Sequence, residues 1–101
     1  MTFISDSNAA ELVPVAVLNR LSLRDVGSSN EGYRVVATEM VDDNPGQDLH
    51  KAVLETPKGE FIQVYFLFIH LFEEEEVYGA DTGTLAPKFV TPREKMVIVY
   101  E

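Results

Sequence analysis

The sequence predicts an α+β domain, a three- to four-stranded and mainly antiparallel sheet with one N-terminal helix packed on it. Three observations carry this: a near-helical spacing of apolar residues before Leu23, a proline-glycine hairpin signal at 56–59, and a run at 61–72 that is apolar on both faces. At 101 residues the chain makes one domain, long enough for a hydrophobic core and too short for two. With 46% hydrophobic and 25% charged residues it has the composition of a folded globular protein.

From Ser7 to Leu23, Ala9, Leu12, Val13, Ala16, Val17 and Leu21 lie near helical spacing, and Asn8 with Glu11 three residues later resembles a capping box. Pro14 opposes a continuous helix because it lacks an N–H and clashes with the preceding turn, so the helix starts nearer Pro14 or kinks there. The β-branched LVPVAV leaves an all-β alternative in which 12–24 is a strand.

After the turn-forming 27–32, Tyr33 to Val41 reads as a strand, and Asp42 to Asp48 as a loop whose Pro45-Gly46 pair suits the centre of a type II turn. A strand from Leu49 to Glu55 then meets the long third strand through Thr56-Pro57-Lys58-Gly59. Parity puts Phe61, Tyr65, Leu67, Ile69 and Leu71 on one face and Ile62, Val64, Phe66, Phe68 and Phe72 on the other. One helix covers one face. The other needs the loop-like 77–92 excursion or an oligomer partner. Lys95 to Tyr100 closes the chain as a strand.

Charge narrows the partners. Seventeen acidic residues against eight basic ones give a net charge of −9, which argues against nucleic acid or an anionic membrane and for a protein with a basic surface. Without cysteine there is neither a disulfide framework nor a thiolate metal site, and the compartment leans to the cytoplasm. The N-terminus lacks a basic region before its apolar stretch, and Asp6 and Glu11 fall where a secretory signal is uncharged. No apolar stretch reaches the ~18 residues of a membrane span.

Chemistry-bearing motifs are sparse. His50 and His70 lack a companion ligand pattern, no nucleophile elbow exists, and no cofactor or metal is expected. In DDNPGQD the glycine falls one place early for an EF-hand and the closing position is Val53 rather than glutamate, so it reads as a solvated turn. The glycines of 79–84 lack a Walker lysine.

Glu73 to Glu76 carry two readings. As gatekeepers they stop the apolar strand from aggregating. As a binding site, Phe72, Glu73, Glu74, Glu75, Glu76, Tyr78 and Asp81 form an anionic patch with apolar anchors for a basic, nucleic-acid-binding groove on another protein. Small size, acidity and lack of cysteine are shared with phage-encoded inhibitors and toxin-immunity proteins, a likeness of composition that nominates no residue. The expected function is therefore a non-enzymatic inhibitor or immunity-type protein. The alternative is an assembly subunit forming a homo-oligomer, such as a homodimer, through the apolar 61–72 strand, with Phe66 and Phe68 at the interface.

Overall fold

A computed structural model describes residues 2–3, 12–79, 83–94 and 98–100. Its strands are β1 (Thr2–Phe3), β2 (Ser29–Asn30), β3 (Tyr33–Asn44), β4 (Gln47–Glu55), β5 (Phe61–Ile69), β6 (Glu74–Val77), β7 (Lys88–Val90), β8 (Pro92–Glu94) and β9 (Ile98–Tyr100). The helices are α1 (Val15–Leu18) and a 3-10 turn at Gly83–Leu85. The protein is mostly β, which corrects the α+β expectation of three to four strands. One curved, half-barrel sheet holds seven strands in the order β1-β6-β5-β4-β3-β2, with β7 also on β5, while β8 and β9 form a separate pair.

Two physical causes account for the difference. The expected helix shrinks to one turn because Pro14 opens it: its carbonyl accepts from the N–H of Val17 at 3.0 Å and of Leu18 at 3.1 Å. Beyond Leu18 the chain turns, and its valine-rich composition gives little helical propensity to resist. The all-β alternative has the class right and its reason wrong, because 12–24 is not a strand. The capping-box residues Asn8 and Glu11 lie outside the described residues.

The second cause is that segments read as charged or loop-like are strands. Glu74–Val77 continues along β5, pairing Val77 with Phe66 and Glu74 with Ile69. A regular ladder would next set Ala80 opposite Gln63, but Lys88 stands there, eight residues later. β6 and β7 thus occupy one lane on the same edge of β5, interrupted by the excursion between them. Of the expected Lys95–Tyr100 strand, Ile98–Tyr100 is seen on β8 and 95–97 lie outside the described residues.

The two hairpins follow their turn residues. Strand pairing runs to Asn44 and Gln47, so the expected 42–48 loop narrows to Pro45-Gly46, with Gly46 at φ +85° where glycine carries no Cβ penalty. At the other hairpin the Thr56 N–H donates to Glu60 O at 2.8 Å and the Gly59 N–H to Thr56 O at 2.9 Å. These turns set Asp48 opposite Phe68 and His50 opposite Phe66.

The core lies on the inner face. Val35, Ala52, Leu54, Ile62, Val64, Phe66 and Val77 pack under Val13, Val17, Leu18, Leu21 and Leu23 of the N-terminal segment. That segment covers the sheet as expected, largely without helix. Each buried side chain of this set larger than alanine contributes about 1.5–3 kcal/mol. Bulges between Val35 and Ala37 and between Met40 and Asp42 bend β3 over this core. On the outer face Leu49, Tyr65, Leu67 and Ile69 are half-buried. No helix among the described residues is long and apolar enough to cross a membrane.

Candidate interaction site at the hairpin end

One end of the sheet gathers two turns side by side. β3 and β4 meet at Pro45-Gly46, and β5 and β6 meet at His70-Leu71-Phe72-Glu73. The turns are joined by the His70 N–H, which donates to Gly46 O at 3.0 Å. Strand β5 therefore ends at Ile69, three residues before the expected end at Phe72, and Glu73 takes a left-handed φ of +52° to start β6. This turn leaves Leu71 82% and Phe72 65% exposed, among the largest apolar exposures of the described residues.

Inside this end sits a charged cluster. His70 Nε2 stands 2.9 Å from Asp48 Oδ2, and His50 Nε2 stands 3.9 Å from the same oxygen. Asp43 faces Asp48 across the hairpin. The hydrogen bond to Asp48 and the repulsion of its charge push the Asp43 carboxyl above its ordinary range. Asp48 moves the other way: burial pushes it up, but hydrogen bonds with His70 and Asp43 and the His70 charge outweigh that and hold it low. Burial pushes the His50 imidazole down, opposed in part by Asp48, and its ring stacks on Phe66 with centroids 5.2 Å apart. A shallow depression of 480 Å³ lined by Asp43, Asn44, Pro45, Gly46 and His70 opens beside the cluster.

No group of three or more His, Asp or Glu residues among the described residues could hold a metal ion. No serine or threonine hydroxyl among them bonds to either imidazole, so among the described residues the His70–Asp48 pair has no hydroxyl nucleophile of a hydrolytic triad beside it.

No family model, curated protein or solved structure matches this chain. The site rests on its own geometry.

That geometry divides the four glutamates. Glu73 is exposed at the turn, while Glu74 and Glu76 are half-buried on the outer face. Glu75 points inward and is 1% exposed: Oε1 accepts from the Leu23 N–H at 3.3 Å and Oε2 pairs with Arg24 Nε at 3.4 Å. Arg24 in turn lies 3.7 Å over the Phe68 ring. Glu75 therefore joins β6 to the segment after α1 and does not face a partner. Tyr78 is half-buried beyond the far end of β6, its N–H donating to Tyr65 O at 3.0 Å, and Asp81 lies outside the described residues.

The structure thus brings Phe72 and Glu73 together with Leu71 and His70, and His70 with Asp43, which the sequence reading of the site leaves out. Their signal is present in the two turns: once Asn44 pairs with Gln47 and Glu55 with Phe61, the register delivers the 42–48 carboxylates to the end where β5 turns.

Proposed function

We propose that this chain is a non-enzymatic binding protein of the inhibitor or immunity type that docks its Leu71-Phe72 turn into a basic-rimmed apolar pocket of a partner protein. The observation that carries the reading is the pair of exposed apolar side chains at a hairpin turn, followed by the exposed carboxylate of Glu73 and preceded by His70, against which the exposed Asp43 lies. Two adjacent anchors that enter a pocket supply the desolvated centre of an interface, and the carboxylates around them steer a cationic rim. The net charge of −9 disfavours phosphate-rich partners such as nucleic acid or anionic lipid. The proposal includes a cytoplasmic setting, in keeping with a cysteine-free chain.

Affinity capture with the wild-type chain and the Leu71→Ser/Phe72→Ser variant, run across a salt series, tests the reading. A partner lost with the variant and weakened by salt supports it; a partner retained by the variant and indifferent to salt refutes it.

A second reading, self-assembly, draws on the half-buried Leu49, Tyr65, Leu67 and Ile69 of the outer face. Phe66 at 0% and Phe68 at 9% exposure lie in the monomer's own interior, so a subunit contact would use the outer row instead.

A further inference from the structure

A second surface lies along the free edge of β3. The short β2 covers only its beginning, pairing Ser29 with Arg34, while the Gly27 N–H donates to Val35 O at 2.8 Å and the Val35 N–H to Ser28 O at 2.9 Å. Past Val35 no strand among the described residues pairs with this edge, although β3 continues to Asn44. An edge this long is a template for another strand unless something blocks it. Proline and lysine, which commonly block such edges, do not occur between Val36 and Asn44, and the bulges at Val36 and Val41 leave Ala37 to Met40 regular between them. Glu39, Asp42 and Asp43 stand there, with Met40 51% and Val41 46% exposed among them.

The bulge at Val41 decides how these carboxylates are presented. Without it, Glu39 and Asp42 would fall on opposite faces, but the extra residue pairs Glu39 with Lys51 and Asp42 with Leu49, two positions apart on β4. Both carboxylates therefore reach the outer face as neighbours in a row, spaced as alternate residues of a strand. An ammonium already occupies one flank of this row, where Lys51 Nζ sits 3.4 Å from Glu39 Oε2, and the Glu39 side chain is still 65% exposed.

From this we infer that the β3 edge from Ala37 to Asp42 accepts an extended cationic segment of a partner protein as an added strand, with lysine or arginine at alternate positions opposite Glu39 and Asp42. Main-chain hydrogen bonds hold such a strand, and the alternate side chains select it. Self-pairing of two copies is disfavoured because it sets carboxylate rows against each other, so the charges that protect the edge leave one class of occupant open. The inference stands apart from the Leu71-Phe72 turn and does not depend on it.

Amide hydrogen exchange of the full chain tests it, with a capped peptide of alternating lysine and valine as probe. A second peptide of the same sequence is N-methylated at every other amide, which keeps the charge and removes one hydrogen-bonding edge. Protection of Ala37–Asp42 by the first peptide, lost with the second and with Glu39→Lys/Asp42→Lys, is the expected result. Equal binding of both peptides without protection of β3 reduces the effect to charge attraction and overturns the inference. Protection of β3 that grows with protein concentration without peptide makes a second copy the occupant and overturns it too. If the charge variant does not fold, the N-methylated peptide alone still decides.

Discussion

His70 Nε2 lies 2.9 Å from Asp48 Oδ2 while the His70 backbone N–H holds Gly46 O, so one residue ties the β5–β6 turn to the β3–β4 hairpin. The exposed Leu71 and Phe72 follow directly in the chain, on a base fixed by that residue. Rigid support reduces the ordering cost of docking and so favours a turn that binds. Asp48→Asn keeps the shape and removes the charge. It should lower the melting temperature at neutral pH and speed amide exchange at 70–73, with the Phe61–Val64 amides unchanged; unaltered exchange at the turn would show that the pair does not hold it.

The cluster sets a pH dependence whose sign follows from its members. The folded His50 has a depressed pKa, chiefly through burial, so the unfolded chain binds more protons once pH falls below about 6.5. Stability contributed by His50 is therefore present above that value and lost below it. Asp48, also depressed, adds a second loss below about 4, and Asp43, raised, runs the opposite way by binding its proton first in the folded state. Urea midpoints should fall as pH drops below about 6.5 through the His50 stage, while below about 4 the two aspartates oppose each other. Replacing His50 with Gln should flatten the His50 stage, and a wild-type profile flat between about pH 7 and 5 would contradict the burial of that ring.

Exposed and buried aromatics of the same strand and turn should separate cleanly. Phe66→Ala opens a cavity at a fully buried site and should cost about 3–5 kcal/mol, whereas Phe72→Ala should stay within about 0.5 kcal/mol of wild type. Chemical denaturation of both variants checks this. Comparable losses would mean that Phe72 is packed rather than presented.

The glutamate run should divide likewise. Glu75→Gln weakens the pair with Arg24, itself half open to solvent, and leaves an oxygen for the Leu23 N–H, so its expected cost is roughly 1–2 kcal/mol. Glu73→Gly removes a left-handed non-glycine residue and should stabilise by up to about 1 kcal/mol. Thermal unfolding of the two variants should move in opposite directions.

Much of the sheet is legible in the sequence because its hairpins are written in local turn chemistry: Pro45-Gly46 and Thr56 to Gly59 each specify a tight reversal, and period-two patterning fills the strands between them. What is hidden depends on contacts distant in sequence. The helix expected from apolar spacing fails because inner-face burial of Val13, Val17 and Leu21 is satisfied by an irregular segment as well as by a helix. The four glutamates look like a solvated end, because nothing near them announces that Arg24 and the Leu23 N–H will meet Glu75 from fifty-two residues away in the case of Leu23. Phe72 and Glu73 are legible as an apolar residue beside charge. Asp43 reaches that end of the sheet only through the register of two successive hairpins.

Site-specific photo-crosslinking tests the docking turn most directly. A benzophenone side chain placed at Phe72 is compared with one at Val26, which is 62% exposed and belongs to the loop before β2. The expected result is a discrete protein adduct formed at position 72, diminished by salt and absent at position 26. Equal labelling at both positions, or an adduct at 72 indifferent to salt, would contradict an acidic docking turn.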